Sequence, residues 1–340
     1  MQNLITSSLL ITFLSTISYG NPQQNSANIL ETALKKMNII AHKEKKIKTD
    51  NIFFNYKLKP KKLTDNLWCF LGALEGPSKL NAGNMVNTCY FRTSNSYVVI
   101  DSGPSYQYAK QAYTIMKKIS NLPVKTVINT HEHDDHWLGN SFYKKNFSAQ
   151  IIGPKEINEN YKAGDKTRMF RILPKNAIEG TKIIPVDTIP IKILKLNIGG
   201  NKFEIIPIGQ QAHTKEDFFI YMPIEKILFA GDLAMNGRIT SNRHGSLLGQ
   251  LKAIKMMKNK EYEIFIPGHG FDTSKNALND AEQYFTLLHQ RILTAIENDV
   301  DASELSEIIP MNEFKNKAMF KALNGQNVAE AFTEIEFLDE

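Results

Sequence analysis

Six consecutive residues, His131-Glu132-His133-Asp134-Asp135-His136, bring three imidazoles and three carboxylates together. Imidazole nitrogen and carboxylate oxygen are the ligands that suit zinc and related divalent ions. Alternate side chains of an extended loop point the same way, so His131 and His133 can grip one ion. Asp135 and His136 stand where the chain is expected to turn into helix, and can face a second. Three more candidate ligands follow expected strands. They are His213 in Gly209-Gln210-Gln211-Ala212-His213-Thr214, Asp232 after Leu228-Phe229-Ala230-Gly231, and His269 in Pro267-Gly268-His269-Gly270. Glycine beside the last two lets the backbone bend tightly and approach closely. Taken singly, each of the three reads as an ordinary structural group; as a set they read as metal ligands. Two divalent ions roughly 3.5–4 Å apart can share one water and bring its pKa toward neutrality, so hydrolysis needs no Ser or Cys nucleophile. Asp135 is the catalytic candidate, binding metal and accepting a hydrogen bond from the metal-bridging hydroxide.

These ligands need rigid strand ends to hold them. Apolar strands are expected at 97–100, 124–129, 202–207, 227–230 and 264–267, each ending just before Asp101, the cluster, His213, Asp232 or His269. Helical spacing marks 29–42, 106–119, 247–258, 276–298 and 327–336. Strands fall in two batches, each followed by helix, which fits two sheets sandwiched between helices, an α/β (α+β) fold. The expected organisation is a peripheral segment at 21–62, a catalytic domain at 63–298 and a C-terminal helical extension at 299–340.

The 340-residue chain is 42% hydrophobic, ample for one large core. Net charge is +6 and the pI near 9.0, but no element interleaves basic and aromatic residues, so no nucleic-acid partner is expected. Residues 1–20 carry no charged side chain, contain an apolar run at 9–18 and end Ser18-Tyr19-Gly20. That reads as a secretory signal peptide cleaved near Asn21, giving a periplasmic protein with no membrane anchor after cleavage. Cys69 and Cys89 fall in neighbouring expected strands. A cross-strand disulfide and two buried thiols both fit.

From about Leu67 to Gly270 the chain resembles the metallo-β-lactamase superfamily. Asp101 in Val99-Ile100-Asp101-Ser102-Gly103 resembles the first motif, His131, His133, Asp135 and His136 the second, and His213, Asp232 and His269 the third to fifth. The resemblance implies a four-layer αβ/βα sandwich with a dinuclear site along one edge. His131, His133 and His213 would bind one metal, and Asp135, His136 and His269 the other. Asp232 would bridge them, and Asp101 would support the metal loop. Two zinc ions per chain are implied, with iron or manganese as alternatives. Asp232 makes the ligand set similar to glyoxalase II and its hydrolase relatives, since the true β-lactamases of the fold carry Cys or Ser there. The run Phe229-Ala230-Gly231-Asp232-Leu233-Ala234-Met235-Asn236-Gly237-Arg238-Ile239 and the tail from Asn324 to Glu336 resemble the quinoprotein relay system zinc metallohydrolases. Those proteins are exported and associated with periplasmic quinoprotein dehydrogenases.

The expected function is thus an exported zinc hydrolase of an ester, thioester or related bond in a small-molecule substrate. The alternatives are a mononuclear iron persulfide dioxygenase, a non-catalytic exported metal-binding accessory protein, and β-lactamase activity. Arg238 and His244, in the loop after Asp232, are candidates for binding an anionic group or protonating a leaving group, with Arg243 beside them. Trp137 reads as core, and the sequence leaves the oligomeric state open.

Overall fold

Why the two sheets form follows from the burial of their strands. The computed structural model describes residues 31–36, 53–163 and 167–337. The chain separates into two compact units, Met1–Ile52 and Phe53–Glu340. In the first, residues 31–36 are helical and Glu31 pairs with Lys35 at 2.8 Å. The expected signal peptide and most of the segment before residue 53 lie outside the described residues.

In the second unit, one sheet contains β1 (Pro60–Lys62), β2 (Leu67–Phe70), β3 (Thr88–Arg92), β4 (Tyr97–Ile100), β5 (Val124–Ile128) and β6 (Gln150–Ile152), in that order. The other contains β7 (Leu194–Ile198), β8 (Asn201–Pro207), β9 (Phe218–Met222), β10 (Ile227–Gly231) and β11 (Ile264–Pro267), ordered β11-β10-β9-β8-β7. Pairing is antiparallel except for β4–β5–β6 and β10–β11, which are parallel and need helical crossovers. Helix α1 (Tyr106–Ile119) supplies the first crossover, α2 (Asn140–Phe147) the second and α4 (Leu247–Lys258) the third; α3 (Glu156–Ala163) follows β6. Helices α5 (Asn279–Glu297) and α6 (Phe320–Glu336) follow β11. Ser105 caps α1 and Ser246 caps α4, each accepting a backbone N–H three residues on.

Strand residues alternate between two apolar layers, so both faces of each sheet are covered. Val98, Ile100, Cys89 and Phe91 meet Phe203, Ile205, Phe218 and Phe229 between the sheets. Tyr97, Val99 and Tyr90 point outward beneath α1 and α2. Ile206, Phe219, Leu228 and Phe265 point outward beneath α4, α5 and α6. The result is the four-layer helix–sheet–sheet–helix sandwich.

The structure adds to the reading at two places near the first sheet's edge and core. Residues 60–62 are an edge strand, Pro60 pairing with Phe70, and Tyr56 reaches Ser105 through a 2.9 Å hydroxyl contact. A Pro- and Lys-bearing edge blunts strand-to-strand aggregation, and that polarity gave the segment its peripheral character in sequence. Cys69 and Cys89 lie directly opposite each other in the β2–β3 register and form a disulfide, fully buried between the sheets.

Candidate metal centre

Five loops meet at one edge of the sandwich: those after β4, β5, β8, β10 and β11. Asn87 stitches that edge, donating its side-chain amide to Pro267 O and Gly270 O at 2.9 Å each while its backbone N–H reaches Gly268 O at 2.8 Å. The approach of the loops leaves no room for side chains. A Cβ on Gly268 would lie 2.0 Å from Asp232 Oδ1, and one on Gly231 2.6 Å from Thr130 Cβ.

The seven candidate ligands form two groups, His131–His133–His213–Asp232 and Asp135–His136–His269. His133 Nδ1 lies 3.1 Å from both His131 Nε2 and His213 Nε2. Asp232 Oδ2 lies 3.5 Å from His131 Nε2 and 3.3 Å from His213 Nε2. Its other oxygen, Oδ1, turns to the second group, 3.3 Å from both His136 Nε2 and His269 Nε2. Asp135 Oδ2 completes that group, 3.7 Å from His136 Nε2 and 3.5 Å from His269 Nε2. Donor atoms about 3.3 Å apart are the edges of a tetrahedron whose bonds to a central ion are about 2.0–2.1 Å long, the zinc–nitrogen distance. His136 Nε2 and Asp232 Oδ1 are buried without a hydrogen-bond partner, as atoms awaiting an ion are. The residues therefore fit a dinuclear site bridged by Asp232.

The other imidazole nitrogens are anchored, which sets both tautomer and ring direction. His136 Nδ1–H donates to Asp101 Oδ2 at 2.9 Å, His269 Nδ1–H to Met85 O at 2.7 Å and His213 Nδ1–H to Ser241 O at 2.9 Å. His131 Nδ1 meets Thr130 Oγ1 at 3.0 Å, whose hydroxyl donates to Asp101 Oδ2 at 2.9 Å. Asp101 has φ +52°, a left-handed conformation that Asp tolerates, and this aims its carboxylate at two ligand loops at once. His133 differs: its Nε2 is buried and has no partner among the described residues.

The electrostatics ask for positive charge. Burial pushes the Asp232 and Asp135 carboxyls up, but the imidazoles around them, with Arg168 beside Asp135, outweigh it and hold both low. Burial holds His131 and His133 well below the usual imidazole range. It pulls His136 and His213 the same way, yet the neighbouring carboxylates, Asp232 foremost, raise both. Divalent ions can take over the charge that protons on these two histidines otherwise supply.

Arg168 was invisible in sequence. It opens a short helix, Arg168–Ile172, and its Nη2 donates to Asp134 Oδ1 at 3.0 Å and to Asp135 Oδ1 at 2.8 Å. Asp135 thus divides its oxygens between the second metal group and Arg168, and the non-ligand Asp134 is neutralised in its buried position. Arg238 is buried with Nε and Nη1 unpartnered, in the field of Asp232 and Asp135. His244 is exposed, its ring 5.9 Å from that of His133. A cleft of about 690 Å³ opens beside His133, lined by Arg168, Arg171, Lys215, Arg243 and His244 and by the acidic Glu132 and Asp134. Trp137 is core, its Nε1–H donating to Glu132 O at 2.7 Å.

Residues 82–269 match the family model of the metallo-beta-lactamase superfamily. The metallo-beta-lactamase IND-1 of Chryseobacterium indologenes is 26% identical over 189 residues, 54% of this chain and 71% of that protein. Among solved structures, a metallo-beta-lactamase from Pontibacter korlensis superposes with TM-score 0.54 at 18% identity, covering 67% of this chain and 99% of the other. The inverting sec-alkylsulfatase Pisa1 from a Pseudomonas species superposes with TM-score 0.60 at 14% identity, covering 81% of this chain and 50% of its own.

Proposed function

The chain belongs to the metallo-β-lactamase superfamily, and from that premise we propose that it is an exported, dinuclear zinc-dependent hydrolase of an ester, thioester or related bond in a substrate bearing an anionic group. The observation that carries the reading is the split of Asp232, one oxygen facing three imidazoles and the other facing His136, His269 and, across the group, Asp135. Two divalent ions held there supply a Lewis acid and a water acidified toward neutrality.

The chain's own residues do the rest. Asp232 keeps the two ligand groups in register. Asp101 locks His136 directly and His131 through Thr130. Arg168 fixes the Asp135 carboxylate so that Oδ2 is presented to the second group. Arg238, a buried cation whose Nε and Nη1 lack a partner among the described residues, suits an anionic substituent of the substrate, because an uncompensated buried charge is costly. The cleft beside His133, where Arg168, Arg171, Lys215 and Arg243 outnumber the carboxylates of Glu132 and Asp134, supports the same substrate class. Export is supported by the apolar leader and by the Cys69–Cys89 disulfide, which suits an oxidising compartment. The link to a quinoprotein dehydrogenase system rests on the resemblance of residues 229–239 and of the tail.

Metal quantification on protein purified without chelator, run beside a panel of lactam, thioester, lactone, sulfate-ester and phosphodiester substrates, tests the reading. Two zinc ions per chain and turnover of an anionic ester are expected; fewer than about 1.5 ions per chain sinks the dinuclear form. His269→Ala separates it from mononuclear iron chemistry, which needs neither His136 nor His269.

A further inference from the structure

The loop between Asp232 and α4 supplies Ser241 O, the acceptor that orients the ligand His213, so the loop must hold this carbonyl in place. The grip comes from α6, beyond the stretch matched by the family model. Asn327 is fully buried there. Its Nδ2 donates to Thr240 O at 2.8 Å and its Oδ1 accepts Asn242 N–H at 2.8 Å, so one carboxamide clamps the peptide groups on both sides of Ser241. The same Nδ2 also reaches Tyr284 Oη at 3.1 Å, which ties the clamp to α5.

Two flanking contacts extend the grip. Ile239 N–H donates to Ala318 O at 2.9 Å and Ala318 N–H returns to Gly237 O at 3.1 Å. Farther along, Glu334 accepts from the Ser246 hydroxyl and from Leu247 N–H, sitting on the N-terminus of α4. The loop is therefore pinned at its start, middle and end by one C-terminal segment.

We infer that Asn327 is a positioning residue for the first metal group: it sets Ser241 O, which sets His213. The inference rests on the dinuclear reading. A carboxamide suits this place, since it offers a donor and an acceptor in one rigid plane. Removing it leaves Thr240 O and Asn242 N–H buried and unpaired, so the loop must shift to satisfy them. His213 then loses its orienting acceptor, and loss of such an outer partner typically weakens metal binding about 10–100-fold.

The test titrates metal-free protein with zinc or cobalt(II) against a competing chelator, resolving two binding steps. His213→Ala identifies the step that belongs to the first group. Asn327→Ala is expected to weaken that same step about 10–100-fold and to leave the other within about threefold. Tyr284→Phe, which keeps both loop contacts of Asn327, is expected to bind both ions normally. Should Asn327→Ala not fold, Asn327→Asp carries the test: it keeps the shape, loses the donor toward Thr240 O, and is expected to weaken the same step. A folded variant of either kind with unchanged affinity at the first step, or with equal losses at both, overturns the inference. If the unsubstituted protein itself lacks two steps, the dinuclear reading falls; if it shows both and Asn327→Ala binds both ions with unchanged affinity, only the role of Asn327 falls.

Discussion

The loop after β5 and the loop after β10 face each other across the metal centre and are held by opposite means. The first packs four candidate ligands into six residues and is secured through its side chains, by Asp101 at the end of the adjacent strand β4, by Thr130 within the loop itself and by Arg168. The second opens with Asp232, carries no further ligand, and is secured from α6, some eighty residues onward. Among the described residues, the first loop leaves one buried nitrogen unpartnered on each of two ligands, His133 Nε2 and His136 Nε2. The second contains Arg238 and Asn242, each with two buried unpartnered atoms. Where a group must take a fixed direction toward an ion, a hydrogen-bonding partner behind its side chain sets that direction. Where a loop must also meet a substrate, its polar groups are left open and its backbone is pinned from elsewhere.

If that contrast is right, substitutions should sort by loop. Asp232→Ala has the largest expected effect, because it removes the one group shared by both halves: metal content should fall below two per chain, and kcat/KM should drop on the order of 10³-fold or more. Retention of two ions would break the bridging role. Arg168→Ala comes next. Freed of its guanidinium, Asp135 should bind the second ion about 10–100-fold less tightly, read by chelator competition, with the first ion little changed. Arg238→Ala is expected to leave metal content intact and to raise KM for an anionic substrate about tenfold, with a smaller change for a neutral analogue. Equal loss for both substrates would remove Arg238 from recognition.

The smallest effect concerns the surroundings of the first loop, where burial, reinforced by Glu216 and Glu132, lifts the Glu156 carboxyl from its ordinary 4.5 to about 7. Folded protein keeps this proton while the unfolded chain loses it, so the stability it brings is complete below pH 4.5 and is lost as pH rises to about 7. Glu156→Gln should flatten that slope and stabilise the protein at pH 8 by about 1–2 kcal/mol, measured by denaturant unfolding. An unchanged slope would mean that Glu156 is solvated.

The sequence made one side of this contrast far more legible than the other. The seven candidate ligands stood out because metal binding demands particular side chains at strand ends, and the structure gathers all seven. The two covered sheets were legible from apolar runs such as Tyr97–Ile100. Arg168 was not, since it lies 33 residues from Asp135 in a mixed-charge stretch without periodicity. Asn327 could be placed on a helix, but which loop its amide meets depends on how α6 packs on α5 and α4. The state of Cys69 and Cys89 was open until the β2–β3 register set them side by side. Orphaned atoms such as Arg238 Nε cannot be read from sequence at all, because they record what a residue fails to touch.

The buried disulfide also serves as a clock. Thiol exchange requires a thiolate to attack one of the two sulfurs in line, and neither Cys69 nor Cys89 exposes any surface. Reductant can therefore act only on molecules whose two sheets have parted. With reductant in excess, the appearance of free thiols would report the opening rate of the sandwich itself, and its slowing on addition of zinc would measure how firmly the ions at the edge hold the two sheets shut.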